Sequence, residues 1–283
     1  MAEFRGVIVK NAYYNSDVYL HQISRIKEEF LNAGLQISVF ENKKAAGIGD
    51  AFDIDFAVFL DKDVNFARVL ENSGVRVFNP SKAITDTDDK IRTAFIMDKS
   101  GVKFPKTIPA PLQYEYRIDE TFLREVAEKL TFPLIVKKAV GSQGTGVYLA
   151  RDFAELSSID SEIGDEKKLY QKFVRPAGKS IRTLVIGGEI VASMLLVNGK
   201  DFRSNAYFGG VAEKIALGEE YADAARKLGK IFGLDYCGID FFAKQEEPTV
   251  IEINSNAFFR DLERVTGINI AKTYVEYILR IMR

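Results

Sequence analysis

Residue types that carry much of the chemistry in other proteins are almost missing from this sequence. There is one cysteine, Cys237, and one histidine, His21, so a disulfide framework, a histidine-based triad and a zinc site are excluded. Cys237 lies in the apolar run LDYCGIDFF, which favours a thiol packed as a small hydrophobe over a reactive one. His21 lies in a segment with helical periodicity, where helix packing or surface exposure is the simpler interpretation.

Two further absences limit the class of protein. The 39 basic and 40 acidic residues leave a net charge of -1, without the basic excess of a dedicated nucleic-acid binder, although a local basic patch is not excluded. No run approaches the 18 apolar residues of a membrane span. The first residues, MAEFRGVIVKNAYY, have too short an apolar stretch for a signal peptide. We therefore expect a cytoplasmic protein with neither a nucleic-acid nor a membrane partner.

Length and composition are those of an ordinary globular protein of two or three modest domains, with 283 residues, 47% of them hydrophobic. In residues 1–84 the runs GVIVKNA, LQISVF, DFAVFL and VRVFN predict strands. Between the first two, apolar residues recur at helical spacing, with Ser16 to cap the helix and Gly34 to end it. This alternation predicts a parallel sheet in a small Rossmann-like domain. Because no Gly-x-Gly-x-x-Gly motif is present, we assign it no dinucleotide.

The rest of the chain is rich in strands. Residues 81–104 predict a connector followed by a helix, and FPKTIPAP predicts a loop or an extended edge. Helices are predicted for DETFLREVAEKL, FAELSSI, YADAARKLGKIFG and GINIAKTYVEYILRIM. Strands are predicted for PLIVKKAV, GVYLA, KLYQKFV, SIRTLVIGG, EIVASMLLVNG, LDYCGIDFFA and PTVIEINSN.

The stretch VKKAVGSQGTGV joins two predicted strands through a glycine-rich loop that directly follows two lysines. The loop consists of Gly141, Ser142, Gln143, Gly144, Thr145 and Gly146. Since it lies between strands, it predicts a flexible hairpin and not a Walker loop that opens a helix. Glycines let backbone N–H groups approach an anion closely, and Lys137 on the entering strand can reach a phosphate as a point charge. The alternative is a mobile surface hairpin with solvated lysines.

Two acidic residues stand in apolar strands near the end of the chain. The turn KQEEP is centred midway between Asp240 and Glu252, so an antiparallel hairpin would place their Cβ atoms roughly 5 Å apart. Asn254 would point to the same face. Opposed carboxylates in an apolar setting repel each other and lose hydration, and a hard divalent cation removes both problems. We therefore favour a magnesium site over an exposed polar edge.

Three cationic residues are candidate anion ligands, each with a simpler alternative. Arg203, in KDFRSNAYFGG with Asn205, suits contact with an oxyanion or is a solvated loop residue. Arg182, in the strand KSIRTLVIGG, is either a paired core arginine or an anion ligand. Lys90, in DDKIRTAF, taken alone, reads as a helix-surface lysine, with a phosphate contact as the alternative.

In chain order these stretches resemble the ATP-grasp superfamily and, within it, the RimK-type alpha-L-glutamate ligases. FPLIVKKAVGSQGTGVYL looks like the strand, lysine and glycine loop of that family, and YQKFV occupies its adenine hinge. GKSIRTLVIGGEIVAS, GKDFRSNAYFGG, GLDYCGIDFF and VIEINSN follow at the expected spacing, so that the resemblance covers residues 81–283. It implies an α/β ATP-grasp fold with ATP between two subdomains, residues 85–174 with the glycine-rich loop and 175–283 with the metal site. The Rossmann-like domain, residues 1–84, would precede them.

The resemblance also implies roles for individual residues. Lys90 and Lys137 would contact the ATP phosphates, and Arg203 and Arg182 would stabilise the transferred phosphoryl group as catalytic residues. Two Mg²⁺ ions, with Mn²⁺ as an alternative, would be held by Asp240, Glu252 and Asn254. The ATP site would comprise Lys90, Lys137, Gly141, Ser142, Gln143, Gly144, Gly146, Gln171, Lys172, Phe173, Val174, Ser180 and Asn205.

The sequence departs from the family in three places. Lys172 follows the hinge glutamine where an acid is common, and Ser180 stands where family members often bind the ribose with an acid. After the metal-site asparagine the chain reads SNAFFR, residues 255–260, in place of the common Ala-Ser-Pro-Gly. We take Asn256 and Arg260 as candidate substrate ligands. The two phenylalanines either shape an unusual acceptor pocket or are core residues that open the next helix.

The resemblance implies an ATP- and magnesium-dependent carboxylate–amine ligase that forms an amide through an acyl phosphate. Its substrates would be an amino acid such as glutamate and a carboxylate-bearing acceptor, either a small molecule, a peptide or a protein. An ATP-grasp kinase acting on a small molecule is the first alternative, and a nucleotide-binding protein without chemistry is the second. Relatives suggest a homo-oligomer, a dimer or tetramer, on which the sequence itself is silent.

Overall fold

The computed structural model describes residues 4–43, 49–141, 144–204 and 209–283 of the chain. Its strands form three sheets in these residues: a parallel one near the N-terminus, a middle one and a larger C-terminal one. Among the described helices, none is long and apolar enough to cross a membrane.

The first sheet has four parallel strands in the order β2-β1-β3-β4, as the alternating pattern predicts. Its strands and helices are β1 (Gly6–Lys10), α1 (Asp17–Asn32), β2 (Ser38–Glu41), β3 (Phe56–Phe59), α2 (Val64–Asn72) and β4 (Arg76–Phe78). Helix α1 has the predicted bounds, but the side chain of Ser16 makes no capping hydrogen bond. Helix α2 was not predicted from the sequence. It is capped by Asp63, whose carboxylate accepts a hydrogen bond from the backbone N–H of Phe66 at 3.1 Å. The Rossmann-like interpretation of this unit stays a prediction.

The segment predicted as a connector and a helix forms two helices, α3 (Ser81–Asp88) and α4 (Lys90–Ser100). Asp89 separates them, and its carboxylate accepts hydrogen bonds from the first backbone N–H groups of α4. This cap fixes the first residue of α4, Lys90, next to the glycine hairpin: the Lys90 backbone N–H donates to the carbonyl oxygen of Ala139 at 2.9 Å.

The middle sheet has the order β5-β8-β6-β7 with antiparallel pairing. Its elements are β5 (Thr107–Pro109), α5 (Glu120–Leu130), β6 (Leu134–Lys138), β7 (Val147–Ala150), α6 (Phe153–Ile163) and β8 (Lys168–Lys172). The proline-rich segment adopts the extended alternative, because β5 is the sheet's edge strand. Helices α5 and α6 pack on this sheet in a hydrophobic core of its own.

The third sheet has the order β11-β10-β9-β12-β13, again with antiparallel pairing. Its elements are β9 (Lys179–Ile186), β10 (Glu189–Val197), β11 (Val211–Lys214), α7 (Glu219–Phe232), β12 (Tyr236–Phe242), β13 (Val250–Asn254), α8 (Arg260–Thr266) and α9 (Ile270–Met282). Helix α7 covers one face, while α1, α8 and α9 share a core with the other face. Cys237 is buried, and burial raises the pKa of its thiol to about 12, which confirms the packing interpretation.

Asn79, after β4, ties the first sheet to the third. Its side-chain amide nitrogen donates to the carbonyl oxygens of Tyr236 and Ser255, both at 2.7 Å. Its side-chain oxygen accepts from the backbone N–H groups of Asp235, at 2.7 Å, and Tyr236, at 3.0 Å. These four bonds and the shared core make the first and third sheets one body, against which the middle sheet carries the glycine hairpin.

Candidate active site

A row of charged residues crosses three neighbouring strands of the third sheet. Asp240 on β12 is paired with Glu252 on β13 and, on its other side, with Arg182 on β9. The predicted opposition of the two carboxylates is confirmed. Asn254 lies two residues beyond Glu252, and its amide nitrogen donates to Oε1 of Glu252 at 3.2 Å.

The sequence left Arg182 as either a paired core arginine or an anion ligand, and the structure shows it paired with Asp240. Its Nε donates to Oδ1 of Asp240 at 2.7 Å and its Nη2 donates to Oδ2 at 2.5 Å. Burial and the neighbouring Glu252 nevertheless raise the pKa of Asp240 against the attraction of Arg182. Burial also acts to raise the pKa of Glu252, but Lys90, Arg182, Lys137 and the Asn254 amide together outweigh it and lower that pKa. The neighbouring cations therefore favour the charged form of Glu252.

The chemistry of this donor set fits magnesium bound together with a polyphosphate. Two carboxylates and an amide oxygen are hard ligands of the kind that Mg²⁺ prefers. Over the described ranges no group of three or more His, Cys, Asp or Glu side chains is placed to hold a metal by itself. Magnesium commonly takes only one or two carboxylates from a protein and completes its shell with water and phosphate oxygens.

Two lysines face this row from the other units, one buried (Lys137) and one half-buried (Lys90). Lys137 on β6 is 9% exposed, and burial lowers its pKa from 10.5 to about 8. Lys90 reaches the carbonyl oxygen of Gly141 with its Nζ at 2.9 Å, and burial lowers its pKa as well. Both lysines, with Gly141, Glu252 and other residues, line a pocket of about 30 Å³, which we call the phosphate pocket. A bound polyphosphate would add negative charge next to these two cations and so favour their charged forms.

Lys138 is placed quite differently from Lys137. Its Nζ makes an ion pair with Oε1 of Glu166 at 2.7 Å, and that glutamate is 57% exposed. Strand alternation explains the difference, since neighbouring residues of β6 point to opposite faces of the sheet.

A cleft between the middle and third sheets continues from the phosphate pocket and has a volume of about 110 Å³. Of the predicted ATP-site residues, it is lined by Lys90, Lys137, Gly144, Gln171, Lys172, Phe173, Val174 and Ser180. The side chain of Gln171 is buried and donates to the Thr107 hydroxyl at 2.9 Å, so it supports the hinge strand from beneath. The Ser180 hydroxyl lies 2.6 Å from that of Ser204.

Arg203 also lines this cleft. Its Nε and Nη2 donate to Asp201, and its Nη1 donates to the carbonyl oxygen of Gly144 at 3.4 Å, which links the third sheet to the glycine hairpin. Gly146 lines neither the cleft nor the phosphate pocket. With φ at +72° and the Lys138 side chain 3.0 Å from where a Cβ would be, it serves the shape of the hairpin. The predicted ligands Ser142, Gln143 and Asn205 lie outside the described residues.

A larger cavity of about 520 Å³ opens on the other side of the charged row, between the first and third sheets. It is lined by Arg182, Glu252, Asn254 and both predicted substrate ligands, Asn256 and Arg260. The Asn256 side chain donates to the carbonyl oxygen of Leu60 at 2.9 Å and accepts from Gln22 at 3.1 Å, so it joins the two sheets.

In the segment after Asn254, each of the two alternatives left open by the sequence holds for one phenylalanine. Phe259 is fully buried in the core and precedes α8, while Phe258 and Arg260 line the cavity. Arg260 is exposed, and it has no hydrogen bond or ion pair to any part of the chain that the structure describes. It is therefore a cation available to a ligand.

Sequence reasoning missed Lys62, which lines both the large cavity and the phosphate pocket. Its Nζ makes an ion pair with the Asp88 carboxylate. The run LDKDV has the composition of a surface loop. The only usable signal was its position after a parallel strand, where ligand groups collect in open α/β sheets.

Paired lysines, a glycine hairpin and an acid–acid–asparagine row around one cleft are the arrangement of a nucleotide-dependent ATP-grasp enzyme. The model of the RimK-like ATP-grasp domain matches residues 87–278, and the chain belongs to that family. A probable alpha-L-glutamate ligase of Methanococcoides burtonii is 37% identical over 217 residues, which are 75% of this chain and 69% of that protein.

Two further proteins, one a sequence relative and one a solved structure, are also similar to this chain. N-acetylaspartylglutamate synthase A of Mus musculus is 31% identical over 229 residues, 78% of this chain and 58% of that protein. The structure of the ATP-grasp ligase PsnB complexed with minimal precursor, Mg and ADP has a TM-score of 0.72 at 15% identity, covering 98% of both chains. The fold is therefore the α/β ATP-grasp fold, and the protein is an enzyme of the ATP-grasp ligase class, whose members bind ATP and magnesium.

Proposed function

We propose that this protein is an ADP-forming ligase that joins an amino acid such as glutamate to a carboxylate-bearing acceptor through an acyl phosphate. One observation carries the proposal: Glu252 and Asn254 line both the phosphate pocket and the large cavity. A substrate carboxylate in the cavity would lie next to the γ-phosphate of a nucleotide in the cleft. The acceptor is a small molecule, a peptide or a protein.

The reaction has two steps. A carboxylate oxygen of the acceptor attacks the γ-phosphorus, the bond to the β-phosphate oxygen breaks, and ADP leaves. The amine nitrogen of the amino acid then attacks the acyl carbon, and inorganic phosphate leaves as the amide forms and the ammonium protons pass to solvent. Asp240, Glu252 and Asn254 would hold two Mg²⁺ ions, or Mn²⁺, which would offset charge on the phosphoryl oxygens.

The protein's own residues position and screen these groups. Lys90 and Lys137 would bind the phosphates, while Phe173 and Val174 would line the adenine pocket with their backbone groups. Arg203 bridges to the glycine hairpin, which would close over the nucleotide and exclude water from the acyl phosphate. Arg182 acts through Asp240, which it orients with two hydrogen bonds.

Arg260 supports an acidic amino acid as the amine substrate. It is an exposed cation at the large cavity, and guanidinium groups bind carboxylates in a bidentate manner. The name of the Methanococcoides burtonii relative points to glutamate.

An ADP-release screen that crosses amino acids with carboxylate acceptors, followed by mass analysis of the products, tests the proposal. We expect ADP release that requires both substrates, with a product mass equal to their sum less one water. A phosphorylated product without an amide would instead establish the kinase alternative. Tight ATP binding without turnover on any pair would establish the non-catalytic one.

A further inference from the structure

Three aromatic rings stand in contact along one side of the large cavity. The ring centroids of Tyr14 and Tyr19 are 5.3 Å apart, and those of Tyr19 and Phe258 are 6.1 Å apart. All three residues line the cavity. They come from the loop before α1, from α1 itself and from the segment before α8, so the fold brings them together from distant parts of the chain. We call these three residues the aromatic wall.

The central ring of the aromatic wall, Tyr19, is only 2% exposed and lies behind the other two rings, with its hydroxyl engaged elsewhere. The Tyr19 hydroxyl donates to the carbonyl oxygen of Leu60 at 2.8 Å and accepts from the backbone N–H of Asn11 at 2.8 Å. Burial raises the pKa of Tyr19 above its ordinary value, so the ring stays neutral. Leu60, Met194 and Leu196 continue the apolar lining.

The cavity has room for an acceptor with a sizeable body beside the amino acid that Arg260 would bind. Its volume of about 520 Å³ corresponds to roughly 17 water molecules at about 30 Å³ each. Pockets of this size take ligands with a substantial apolar body. A site for small, wholly polar acids would not need so extensive a wall of aromatic and aliphatic carbon.

The charged end of the cavity lies where Lys62 faces the phosphate pocket. Lys62 lines both spaces, and its charge also lowers the pKa of Lys90. Its ammonium group has three donors, of which the ion pair with Asp88 engages one, so a substrate carboxylate could bind the others at the point where the γ-phosphate arrives. Leu60 is two residues before Lys62 and accepts the Tyr19 hydrogen bond, so the body of such a substrate would extend onto the aromatic wall.

We propose that the acceptor is an aromatic carboxylic acid whose carboxylate is held by Lys62 and whose ring packs against Tyr14 and Phe258, with Tyr19 behind them. This inference rests on the proposed function and names the class of its acceptor. Aromatic rings with centroids 4.5 to 7 Å apart attract each other beyond their area of burial, which gives such a wall selectivity for an aryl group. Arg260 remains the ligand of the amino acid.

The first test measures binding and needs no turnover. N-acetyl-L-phenylalanine and N-acetyl-L-aspartate are titrated calorimetrically into the full chain saturated with magnesium and a non-hydrolysable ATP analogue. We expect the aryl acid to bind about 10-fold tighter or more, since it buries a ring that the small acid lacks. Equal or weaker binding of the aryl acid overturns the inference.

Two variants test whether the preference for the aryl acid comes from the aromatic wall. Phe258→Ala should weaken binding of the aryl acid by about 10-fold and leave binding of N-acetyl-L-aspartate unchanged. Tyr114→Ala is the matched control, because Tyr114 is 92% exposed and does not line the cavity. An unchanged preference in Phe258→Ala contradicts the aromatic wall.

The role of Lys62 as the ligand of the acceptor carboxylate is tested by removing its charge and then restoring it. Lys62→Met should weaken both acids to a similar extent and lower kcat, while Lys62→Arg should recover most of the binding. Exposed Lys129, in an ion pair with Glu125, supplies the control Lys129→Met. If Lys62→Met binds both acids as the wild type does, the placement of the carboxylate is wrong.

Turnover with glutamate as the amine separates this inference from the proposed function. Amide formation with N-acetyl-L-phenylalanine supports both. Amide formation with N-acetyl-L-aspartate, but none with the aryl acid, overturns the inference alone. If no acid gives an amide, the proposed function fails, and the binding difference between wild type and Phe258→Ala still decides the inference.

Discussion

Replacing Lys137 with methionine should stabilise the protein without ligand and weaken its binding of ATP. Lys137 is 9% exposed, and burial lowers its pKa from 10.5 to about 8. At about 1.4 kcal/mol per pH unit, holding this lysine charged in the folded protein at pH 7 costs about 3 kcal/mol. Methionine fills a similar volume without the charge, so removal of that cost should raise the unfolding temperature by roughly 5 to 10 °C.

The same substitution removes a cation from the phosphate pocket. A hydrogen bond to a charged group contributes about 1.5 to 3 kcal/mol, so the affinity for ATP should fall by about 10- to 100-fold. Thermal unfolding followed by fluorescence gives the first quantity, and titration with magnesium and a non-hydrolysable ATP analogue gives the second. Without ligand, the variant should therefore unfold at a higher temperature than the wild type. Added nucleotide should raise its unfolding temperature by less.

Lys138→Met is the matched control, one residue further along the same strand. Its ion pair with Glu166 is at the surface, and such pairs contribute about 0 to 1 kcal/mol. We expect little change in either stability or nucleotide affinity. If Lys137→Met destabilises the protein, or binds the nucleotide as Lys138→Met does, the assignment of Lys137 is refuted.

The pH dependence provides an independent check on Lys137. Because its pKa is lower in the folded protein, the unfolded chain binds more protons between about pH 8 and 10.5. This lysine therefore makes the wild type gain stability as the pH rises through that window, and below it the full cost is present. Lys137→Met should lack that part of the gain, which denaturant titrations of both proteins at pH 7 and pH 10 would reveal.

Three further predictions concern the acids, the anchor between sheets and the cysteine. Glu252→Gln and Asp240→Asn should abolish ADP release while circular dichroism shows an intact fold; near-normal turnover in either would argue against the metal assignment. Asn79→Ala loses four buried hydrogen bonds and should lower the free energy of unfolding by about 3 kcal/mol or more in denaturant titrations, and a change below about 1 kcal/mol would contradict its anchoring role. Cys237 should not react with a thiol reagent in the native protein, since its thiol is buried and its pKa is raised to about 12; rapid labelling would show that β12 opens.

The parts of the fold that follow from local pattern could be predicted from the sequence. Alternating strands and helices indicate the parallel sheet, and a turn centred between Asp240 and Glu252 predicts their opposition, which the strand register confirms. Helix α2 was missed although Asp63 caps it, and the segment predicted as a connector before Asp89 is helix α3. Those boundaries depend on single side-chain caps, which propensity and periodicity resolve poorly.

The residues that depend on tertiary contact could not be found in this way. Lys62 and Asn79 follow strands of the first sheet, yet their partners lie in α3 and the third sheet. The aromatic wall joins residues more than two hundred positions apart, and no spacing in the sequence connects Tyr19 with Phe258. The neighbourhood of Lys90 favours an ordinary helix surface, and only the family resemblance favoured its alternative, a phosphate contact.

The two acids of the charged row are not equivalent, and the difference gives the metal assignment a graded test. A carboxylate has about four lone-pair positions, of which Arg182 occupies two on Asp240, so Asp240 keeps room for a metal without losing its arginine. The charge of Asp240 is offset by the two hydrogen bonds from Arg182, whereas Glu252 is in no ion pair within the described residues and accepts only from the Asn254 amide. Glu252 should therefore contribute more of the charge that attracts magnesium. Glu252→Gln should raise the magnesium concentration needed for half-maximal nucleotide binding more than Asp240→Asn does, and the reverse order would show that the two carboxylates exchange roles when the metal binds.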